Sequence, residues 1–252
     1  MTPMIPDVLD LHTHTIASGH AYNTIYEMAY SASQKGVQLL GISDHGPAME
    51  GAASSFYFRA SRRVPRSLYG IQLLFGAELN ILDYDGKLDL DDESAAPLDY
   101  VIASLHVECI KPGSTEDNTA AYLGAMKNPR VMILGHPDDG TFASDYERIA
   151  YEAASQKVLI EMNEASFRPG TYRKNTFQNA KDLLFACRKY KTGIVVSSDA
   201  HIETDILQHK HALELLEEVE YPQEWIINTS VEKALQSFSA RREYVKREWS
   251  SE

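Results

Sequence analysis

Val8-Leu9-Asp10-Leu11-His12-Thr13-His14-Thr15 begins with apolar residues and ends with two histidines. The apolar start predicts a buried strand, and alternate side chains of a strand lie on the same face. We therefore expect His12 and His14 on one face, about 6–7 Å apart along the backbone. Two imidazoles placed in this way can hold one metal ion, although a single His-x-His pair is weak evidence for a metal site.

Short apolar segments that end in a histidine or a carboxylate recur along the chain. The predicted strands are 8–15, 38–43, 71–75, 100–105, 131–134, 158–162 and 194–197. Helical periodicity covers 119–127, 146–156 and 177–190, and the capping-box pattern Ser/Thr-x-x-Glu occurs at Thr24–Glu27 and at Thr229–Glu232. Strands that alternate with helices predict a parallel sheet covered by helices. Seven such strands in 252 residues predict an α/β barrel, with 1–252 as a single domain.

The candidate metal ligands fall where the predicted strands end. In β/α barrels the loops at the C-terminal ends of the strands build the active site. Nine residues are expected at this rim: His12, His14, His20, His45, Glu78, His106, His136, Asp199 and His201. Because zinc usually takes about four ligands, nine are enough for two or three ions. His209 and His211 are expected to be solvated instead, since they lie in a helical pattern, where residues two apart diverge.

The charge balance limits the classes of partner. The chain has 36 acidic and 24 basic residues and a formal charge of -12, which disfavours non-specific binding to nucleic acid or acidic membranes. A small anionic substrate stays compatible, because bound metal ions reverse the charge locally. No export signal precedes the first strand, and no apolar stretch approaches the roughly 20 residues that span a bilayer. With Cys109 and Cys187 expected as free thiols, these features predict a cytoplasmic protein without a membrane partner.

Taken together, the motifs resemble those of the PHP family, named for polymerase and histidinol phosphatase. The resemblance is carried by Asp10-Leu-His-Thr-His14, Ser43-Asp-His45, Gly76-Ala-Glu78, His106, Gly135-His-Pro137 and Ser198-Asp-Ala-His201. The loops 18–22 and 43–50 look closest to the small bacterial PHP phosphatases of the YcdX type. The resemblance implies a distorted seven-stranded β/α barrel that holds three metal ions. The histidine-rich ligand set suits zinc, with manganese or iron(II) as alternatives, since cellular supply often decides.

The resemblance also implies how the ligands divide among three ions. His12, His14, Glu78 and Asp199 would hold the first ion, Glu78 would bridge to a second held by His106 and His136, and His20, His45 and His201 would hold the third. Three divalent ions against two carboxylates leave about four uncompensated positive charges, which would attract phosphate. A water that bridges the ions would lose a proton near neutral pH and attack phosphorus in line.

Two further residues are candidates for roles beside the metals. Asp44 is expected just behind the ligands, where it would orient a histidine or accept a proton; a plain turn residue is the alternative. Arg168 has an offset from strand 158–162 that resembles the position of a phosphate-contacting arginine in PHP histidinol phosphatases. A guanidinium suits bidentate phosphate contact, and a solvated loop arginine is the alternative. Arg173 and Lys174 are weaker candidates.

The leading functional hypothesis is a metal-dependent phosphatase that hydrolyses a small phosphomonoester. One alternative is a histidinol-phosphate phosphatase, which uses the same chemistry. Phosphodiesterase or nuclease activity is less favoured, because the sequence shows no basic groove studded with aromatic residues for a nucleic acid strand. A metal-holding module without catalysis is the remaining alternative. The sequence leaves open the identity of the small phosphorylated substrate, and whether the chain is a monomer or a small homo-oligomer.

Overall fold

Nine strands form two sheets in the computed structural model, which describes residues 5–249. The strands are β1 (Leu9–Asp10), β2 (Leu39–Ile42), β3 (Ser67–Leu68), β4 (Ile71–Phe75), β5 (Ala77–Asn80), β6 (Val101–Ser104), β7 (Val131–Leu134), β8 (Leu159–Asn163) and β9 (Ile194–Ser197). The first sheet has the order β1-β2-β4-β3, and the second has the order β5-β6-β7-β8-β9. Neighbours pair in parallel except β3 and β4, which form an antiparallel hairpin.

Helices occupy the connections between the parallel strands, as the alternating pattern predicts. They are α1 (Ile25–Gln34), α2 (Ser55–Arg59), α3 (Asp92–Ala95), α4 (Thr115–Ala125), α5 (Tyr146–Gln156), α6 (Thr176–Tyr190), α7 (Lys210–Glu218) and α8 (Val231–Trp249). Within 5–249 no helix has both the length and the apolar character needed to cross a membrane. Cys109 and Cys187 are free thiols, as predicted.

The two sheets join into one barrel. β4 and β5 are two lengths of a single strand interrupted at Gly76, whose N–H donates to the Ile42 carbonyl oxygen at 2.7 Å. On the other side, a parallel bridge between Thr13 and Ala200 connects the end of β1 to the end of β9. With β4 and β5 counted as one strand, seven parallel strands surround the interior. This arrangement confirms the predicted seven-stranded α/β barrel.

Gly76 permits the close approach of an aromatic ring at this interruption. A Cβ atom at Gly76 would lie 2.6 Å from the ring of Tyr100, so a larger residue would collide with it. The Tyr100 hydroxyl donates to the Leu11 carbonyl oxygen at 2.5 Å, next to His12. The glycine therefore allows Tyr100 to brace the strand end that carries the first two histidines.

The inward face of the barrel changes from apolar to polar along several of its strands. Alternate residues share this face, in the series Leu74-Gly76-Glu78, Tyr100-Ile102-Ser104-His106, Leu159-Glu161-Asn163 and Val195-Ser197-Asp199. The apolar members form a buried cluster, which Ala234 and Phe238 of α8 complete. A second, larger apolar cluster includes buried residues of the strands and of α1, α4, α5, α6 and α7. The polar members are thus collected at the C-terminal mouth.

Several local predictions were wrong or incomplete. The Thr24–Glu27 capping box is confirmed at the start of α1, but at α8 the Ser230 hydroxyl accepts the Lys233 N–H at 3.2 Å, one residue later than predicted. α5 has the predicted bounds, whereas α4 begins four residues earlier than 119. The stretch 46–70, expected as a helix or a lid, contains α2, a 3-10 helix at Ala60–Arg63 and the first strand of the hairpin.

The prediction that His209 is solvated was also wrong. His209 is only 2% exposed, and its Nδ1–H donates to Asp7 Oδ2 at 2.8 Å while its Nε2 lies 3.5 Å from Asp10 Oδ2. His209 lies just before the first residue of α7. The expectation that residues two apart on a helix diverge therefore did not apply to it. His211 is half-buried and pairs with Glu164 through Nδ1 at 2.7 Å.

Candidate metal centre

The nine predicted ligands come together at the C-terminal mouth of the barrel. His12 and His14 follow β1, His45 follows β2, Glu78 lies in β5, and His106, His136 and Asp199 each stand two residues beyond a strand. His201 follows Asp199 by two residues, and His20 lies just beyond a 3-10 helix at Ile16–Ser18. Parallel strands in a barrel end at the same rim, which explains why residues so distant in sequence meet there.

Glu78 lies at the centre of this cluster, with five imidazoles within 4 Å of its carboxylate oxygens, the most distant being His14, whose Nε2 is 3.6 Å from Oε2. Its Oε2 atom is 2.8 Å from His45 Nδ1 and 3.2 Å from His12 Nε2. Its Oε1 atom is 3.0 Å from His136 Nε2 and 3.3 Å from His106 Nε2. Burial by itself raises the pKa of this carboxyl, but the facing imidazoles hold it well below its usual range. Glu78 is therefore placed as a carboxylate that several ligand groups share.

Asp199 lies at a second centre next to the first. Its Oδ1 atom is 3.2 Å from His14 Nε2 and 3.6 Å from His201 Nδ1. Burial by itself raises the pKa of Asp199, but the charge of His12, the neighbouring imidazole of His14 and the charge of Arg173 hold it well below its usual range. His20 extends the cluster outwards, because its Nε2 is 3.0 Å from His201 Nε2.

Three overlapping triplets each bring their ligand atoms within 4.8 Å of one another, namely His12-His14-Asp199, His45-Glu78-His106 and His14-His45-His201. The first triplet lies within the set predicted for the first ion. The other two combine residues that the family resemblance assigns to different ions. How the ligands divide among ions therefore stays a prediction.

The residues fit a bound cation, because their buried polar atoms lack other partners. Five atoms make no hydrogen bond with any residue among 5–249: His12 Nε2, His14 Nε2, His45 Nδ1, Glu78 Oε2 and Asp199 Oδ1. A buried polar group without a partner costs about 1–3 kcal/mol, so native proteins rarely leave several together. Imidazole nitrogens and carboxylate oxygens facing one centre are the donor atoms that divalent transition metals bind.

The opposite nitrogens of three rings are held by hydrogen bonds. His12 Nδ1–H donates to Glu161 Oε1 at 2.7 Å, and His106 Nδ1–H donates to Asn80 Oδ1 at the same distance. His14 Nδ1–H donates to the Ser18 hydroxyl at 3.0 Å. A hydrogen bond at Nδ1 selects the tautomer that leaves the Nε2 lone pair for a metal.

The backbone is strained at two of the predicted ligands. His136 has a φ of +31° and Asp199 a φ of +56°, both in the left-handed region that non-glycine residues rarely adopt. The His136 N–H donates to Glu161 Oε2 at 2.9 Å, which helps to hold this conformation. Backbone strain of this kind is concentrated at functional sites, where the surrounding structure imposes it.

Asp44 reaches the histidines through Ser18. It is fully buried and accepts from the Ser18 and Tyr57 hydroxyls, both at 2.7 Å, and from the Thr15 N–H at 2.6 Å. Ser18 in turn accepts from His14 Nδ1–H and, at 3.1 Å, from the His45 N–H. An orienting role is compatible with these contacts. A carboxylate with so many donors, and out of contact with the cavity, is poorly placed to accept a substrate proton.

The structure places Arg168 in the wall of the cavity and Arg173 against a predicted metal ligand. Arg168 lines the cavity above the cluster, is 29% exposed in its side chain and forms an ion pair with Asp205. Arg173 is only 4% exposed in its side chain, and its Nη2 lies 2.9 Å from Asp199 Oδ2. Its Nη1 donates to the Ser166 hydroxyl at 3.1 Å. The weaker candidate of the sequence is therefore the arginine that contacts a predicted ligand.

A cavity of about 660 Å³ opens over the cluster. Five predicted ligands line it, namely His20, His45, His106, Asp199 and His201. The other walls include Met49, Glu50, Glu108, Arg168, Tyr172 and Arg173. The volume is sufficient for a small organic ligand.

Sequence analysis missed Glu161, Asn80 and Ser18, which support the predicted ligands. One feature of the sequence could have indicated Glu161 and Asn80, because each is a polar residue inside an apolar strand segment. Their partners could not be read from the sequence, since His12 and Glu161 are 149 positions apart.

Comparison with known proteins agrees with this geometry. A family model described as "PHP domain" matches residues 10–172. The chain belongs to the PHP domain family. It is 42% identical over 240 residues to a protein of Acetivibrio thermocellus named "Probable phosphatase", covering 95% of this chain and 98% of that one. It is also 42% identical to a "Probable phosphatase" of Clostridium novyi, covering 90% and 93% of the two chains.

A solved structure with a similar fold is the histidinol phosphate phosphatase of Lactococcus lactis, in complex with zinc, L-histidinol and phosphate. The TM-score is 0.61 at 18% identity, with 86% of this chain and 95% of that chain covered. At this identity the likeness shows the fold alone, and it agrees with the PHP-type barrel described above.

Proposed function

We propose that this PHP protein is a metal-dependent phosphatase that hydrolyses a small phosphomonoester. The observation that carries the proposal is the convergence, on common centres beneath an open cavity, of five buried atoms that make no hydrogen bond within the described part of the chain. The relatives named "Probable phosphatase" support the same activity.

The nine predicted ligands would hold three divalent ions, with zinc favoured and manganese or iron(II) as alternatives. Histidine-rich sites suit zinc, and the similar structure from Lactococcus lactis contains zinc and phosphate. When bound, such ions act as Lewis acids towards phosphoryl oxygens and lower the pKa of coordinated water towards neutrality. The chain itself supplies the orientation of three of the rings, through Glu161 at His12, Asn80 at His106 and Ser18 at His14.

The two arginines would have different tasks in this site. Arg168 faces the cavity, so we infer that its guanidinium meets the phosphoryl oxygens of an incoming substrate while Asp205 holds it in place. Arg173 is enclosed by Asp199 and Ser166, so it would fix the position of Asp199. Asp44 would act indirectly, by holding Ser18 against His14.

Histidinol-phosphate hydrolysis is the second candidate. Two exposed carboxylates, Glu50 and Glu108, line the cavity and could pair with the ammonium group of such a substrate. The likeness to the Lactococcus lactis enzyme is compatible with this assignment. Comparing the kcat/KM for histidinol phosphate with the values for sugar and nucleotide monophosphates would separate the two candidates.

Elemental analysis combined with a phosphate-release assay tests the proposal. We expect the purified protein to contain divalent transition metal and to release phosphate from an aryl phosphate, and Glu78→Ala to lose both. Glu243→Ala, on the exposed face of α8, is the control and should lose neither. Full metal loading without hydrolysis of any monoester would instead support a metal-holding module without catalysis, and metal-dependent cleavage of single-stranded DNA would support a nuclease.

A further inference from the structure

Asp89 lies outside the predicted ligand set but binds the segments that carry two of its members, Glu78 and His45. Its Oδ1 atom accepts the Asn80 N–H at 2.9 Å. Its Oδ2 atom accepts the Ala48 N–H at 2.9 Å and the Asn80 side-chain Nδ2–H at 2.6 Å. Asn80 is two residues after Glu78, and Ala48 is three residues after His45. One carboxylate therefore connects the strand of Glu78 with the loop that follows His45.

Asp89 also determines which way the Asn80 amide faces. A carboxylate and a backbone carbonyl can only accept hydrogen bonds, and both Asp89 Oδ2 and the Gly46 carbonyl oxygen, at 3.3 Å, lie on one side of the amide. The NH₂ group must occupy that side. The Asn80 oxygen then faces His106 Nδ1 at 2.7 Å.

The orientation of Asn80 in turn selects the tautomer of His106. With an acceptor in front of Nδ1, the proton lies on Nδ1 and the lone pair lies on Nε2. His106 Nε2 is 3.3 Å from Glu78 Oε1, on the side of the metal cluster. The chain of contacts thus runs from Asp89 through Asn80 to a ring nitrogen that can bind metal.

Gly46 supplies independent evidence that Asp89 must lie close to the loop after His45. A Cβ atom at Gly46 would lie 2.3 Å from Asp89 Oδ1, so any other residue there would push the carboxylate away. The Gly46 N–H also donates to the Glu78 carbonyl oxygen at 2.8 Å. These segments carry His45 and Glu78, which form with His106 one of the triplets whose ligand atoms lie within 4.8 Å of one another.

We propose that Asp89 is a positioning residue of the metal centre, which fixes the Asn80 amide so that His106 presents Nε2 to an ion shared with His45 and Glu78. This inference rests on the proposed function only in taking His106 as a metal ligand. It predicts that the interaction between positions 80 and 89 controls metal binding, although neither side chain touches an ion.

A charge-exchange experiment tests the proposal. Asn80→Asp places two buried carboxylates in contact, and Asp89→Asn removes the group that fixes the amide. Each should weaken metal binding by about 10–100-fold, the usual effect of losing a supporting partner. The double variant Asn80→Asp/Asp89→Asn again pairs an amide with a carboxylate and keeps an acceptor for His106. We expect it to recover about 10-fold over Asn80→Asp, because interacting positions are not additive.

Metal affinity is measured by chelator competition, and the cobalt(II)-substituted protein gives an absorption spectrum that reports ligand geometry independently of activity. Asp91→Asn is the matched control, since Asp91 caps α3 through Ser94 and should leave the spectrum unchanged. An unaltered metal content and spectrum in Asp89→Asn would overturn the proposal, as would a double variant no better than Asn80→Asp. Wild-type protein that binds metal but releases no phosphate would refute the phosphatase and leave this test intact.

Discussion

At the scale of single residues, Glu161 shows how a buried carboxylate inside the barrel acts on His12, a predicted metal ligand. Its Oε1 accepts from His12 Nδ1–H at 2.7 Å, and its Oε2 accepts from the His136 N–H at 2.9 Å and from Asn163 Nδ2–H at 3.0 Å. With Glu78 and Asp199, its charge raises the pKa of His12 well above its usual range, although burial acts in the opposite direction. A negative charge directly behind an imidazole also strengthens that imidazole as a metal ligand.

We therefore predict that Glu161→Gln lowers metal affinity by about 10–100-fold. The amide cannot accept at both ends, so one of the buried N–H donors also loses its partner. Chelator competition measures the affinity, and Glu243→Gln on the surface of α8 serves as the control. Equal affinities in the variant and the wild type would contradict the role assigned to Glu161.

A second prediction at this scale concerns Gly19, which precedes His20. A Cβ atom at Gly19 would lie 2.4 Å from the Gly51 carbonyl carbon, and its φ is +83°. Gly19→Ala should therefore displace His20, remove about one ion per chain and lower activity by about 10-fold or more.

Gly36 offers a control for Gly19 that isolates backbone strain. Its φ is +82°, and a Cβ atom there would meet nothing within 4 Å. Gly36→Ala should cost about 1–2 kcal/mol in the free energy of unfolding and leave metal content unchanged. If Gly19→Ala and Gly36→Ala lost equal amounts of metal, the loss would come from backbone strain and not from the displacement of His20.

At the scale of elements, His209 connects β1 to the start of α7. It bridges Asp7, which lies two residues before β1, and Asp10, which is the last residue of β1. Burial lowers its pKa, but the charges of Asp10 and Asp7 prevail and raise the pKa to about 10 from the ordinary 6.5. The folded state therefore keeps this histidine protonated at neutral pH.

The raised pKa predicts a pH dependence of stability. The contribution of His209, on the order of a few kcal/mol, should be complete below pH 6.5 and be lost as the pH rises through about 10. Urea unfolding across this range should show a steeper decline for the wild type than for His209→Gln, with His211→Gln as the control. Parallel curves for the wild type and His209→Gln would show that the bridge does not stabilise the fold.

At the scale of the whole molecule, a chain of negative net charge carries its predicted cation ligands at the C-terminal mouth of the barrel. The formal charge is -12, and Glu50 and Glu108 add exposed carboxylates to the cavity wall. Arg168 is already paired with Asp205, and Arg173 with Asp199. A substrate with one phosphate and a neutral or cationic body should be preferred over one with a second anionic group.

We predict that Glu50→Gln/Glu108→Gln raises kcat/KM for 3-phosphoglycerate by about 2–10-fold relative to glycerol 3-phosphate, since exposed charge interactions are worth about 0.2–1 kcal/mol each. The two substrates differ in a carboxylate, so their ratio isolates the charge effect. Added salt should reduce the difference, and Glu243→Gln should leave the ratio unchanged. An identical ratio in the double variant and the wild type would exclude these carboxylates as determinants of specificity.

The sequence by itself determined the barrel and the membership of its polar mouth. Both follow from local patterns: apolar segments of strand length alternate with helical ones, and parallel strands must bring their C-terminal ends to one rim. We could therefore expect these residues at one rim before any contact between them was known: His12, Glu78, His136 and Asp199. The extent of the domain over 1–252, the oligomeric state and the cytoplasmic location stay predictions.

Only the tertiary structure decided which residues hydrogen-bond to the predicted ligands and which charged side chains are buried. Glu161 behind His12, Asn80 behind His106 and the burial of His209 depend on segments brought together from far along the chain. The same holds for Arg173, which contacts Asp199 while Arg168 turns to Asp205. A repeating pattern fixes which face a side chain occupies, but a hydrogen-bond partner is fixed by distances of a few tenths of an ångström between elements, which no local pattern encodes.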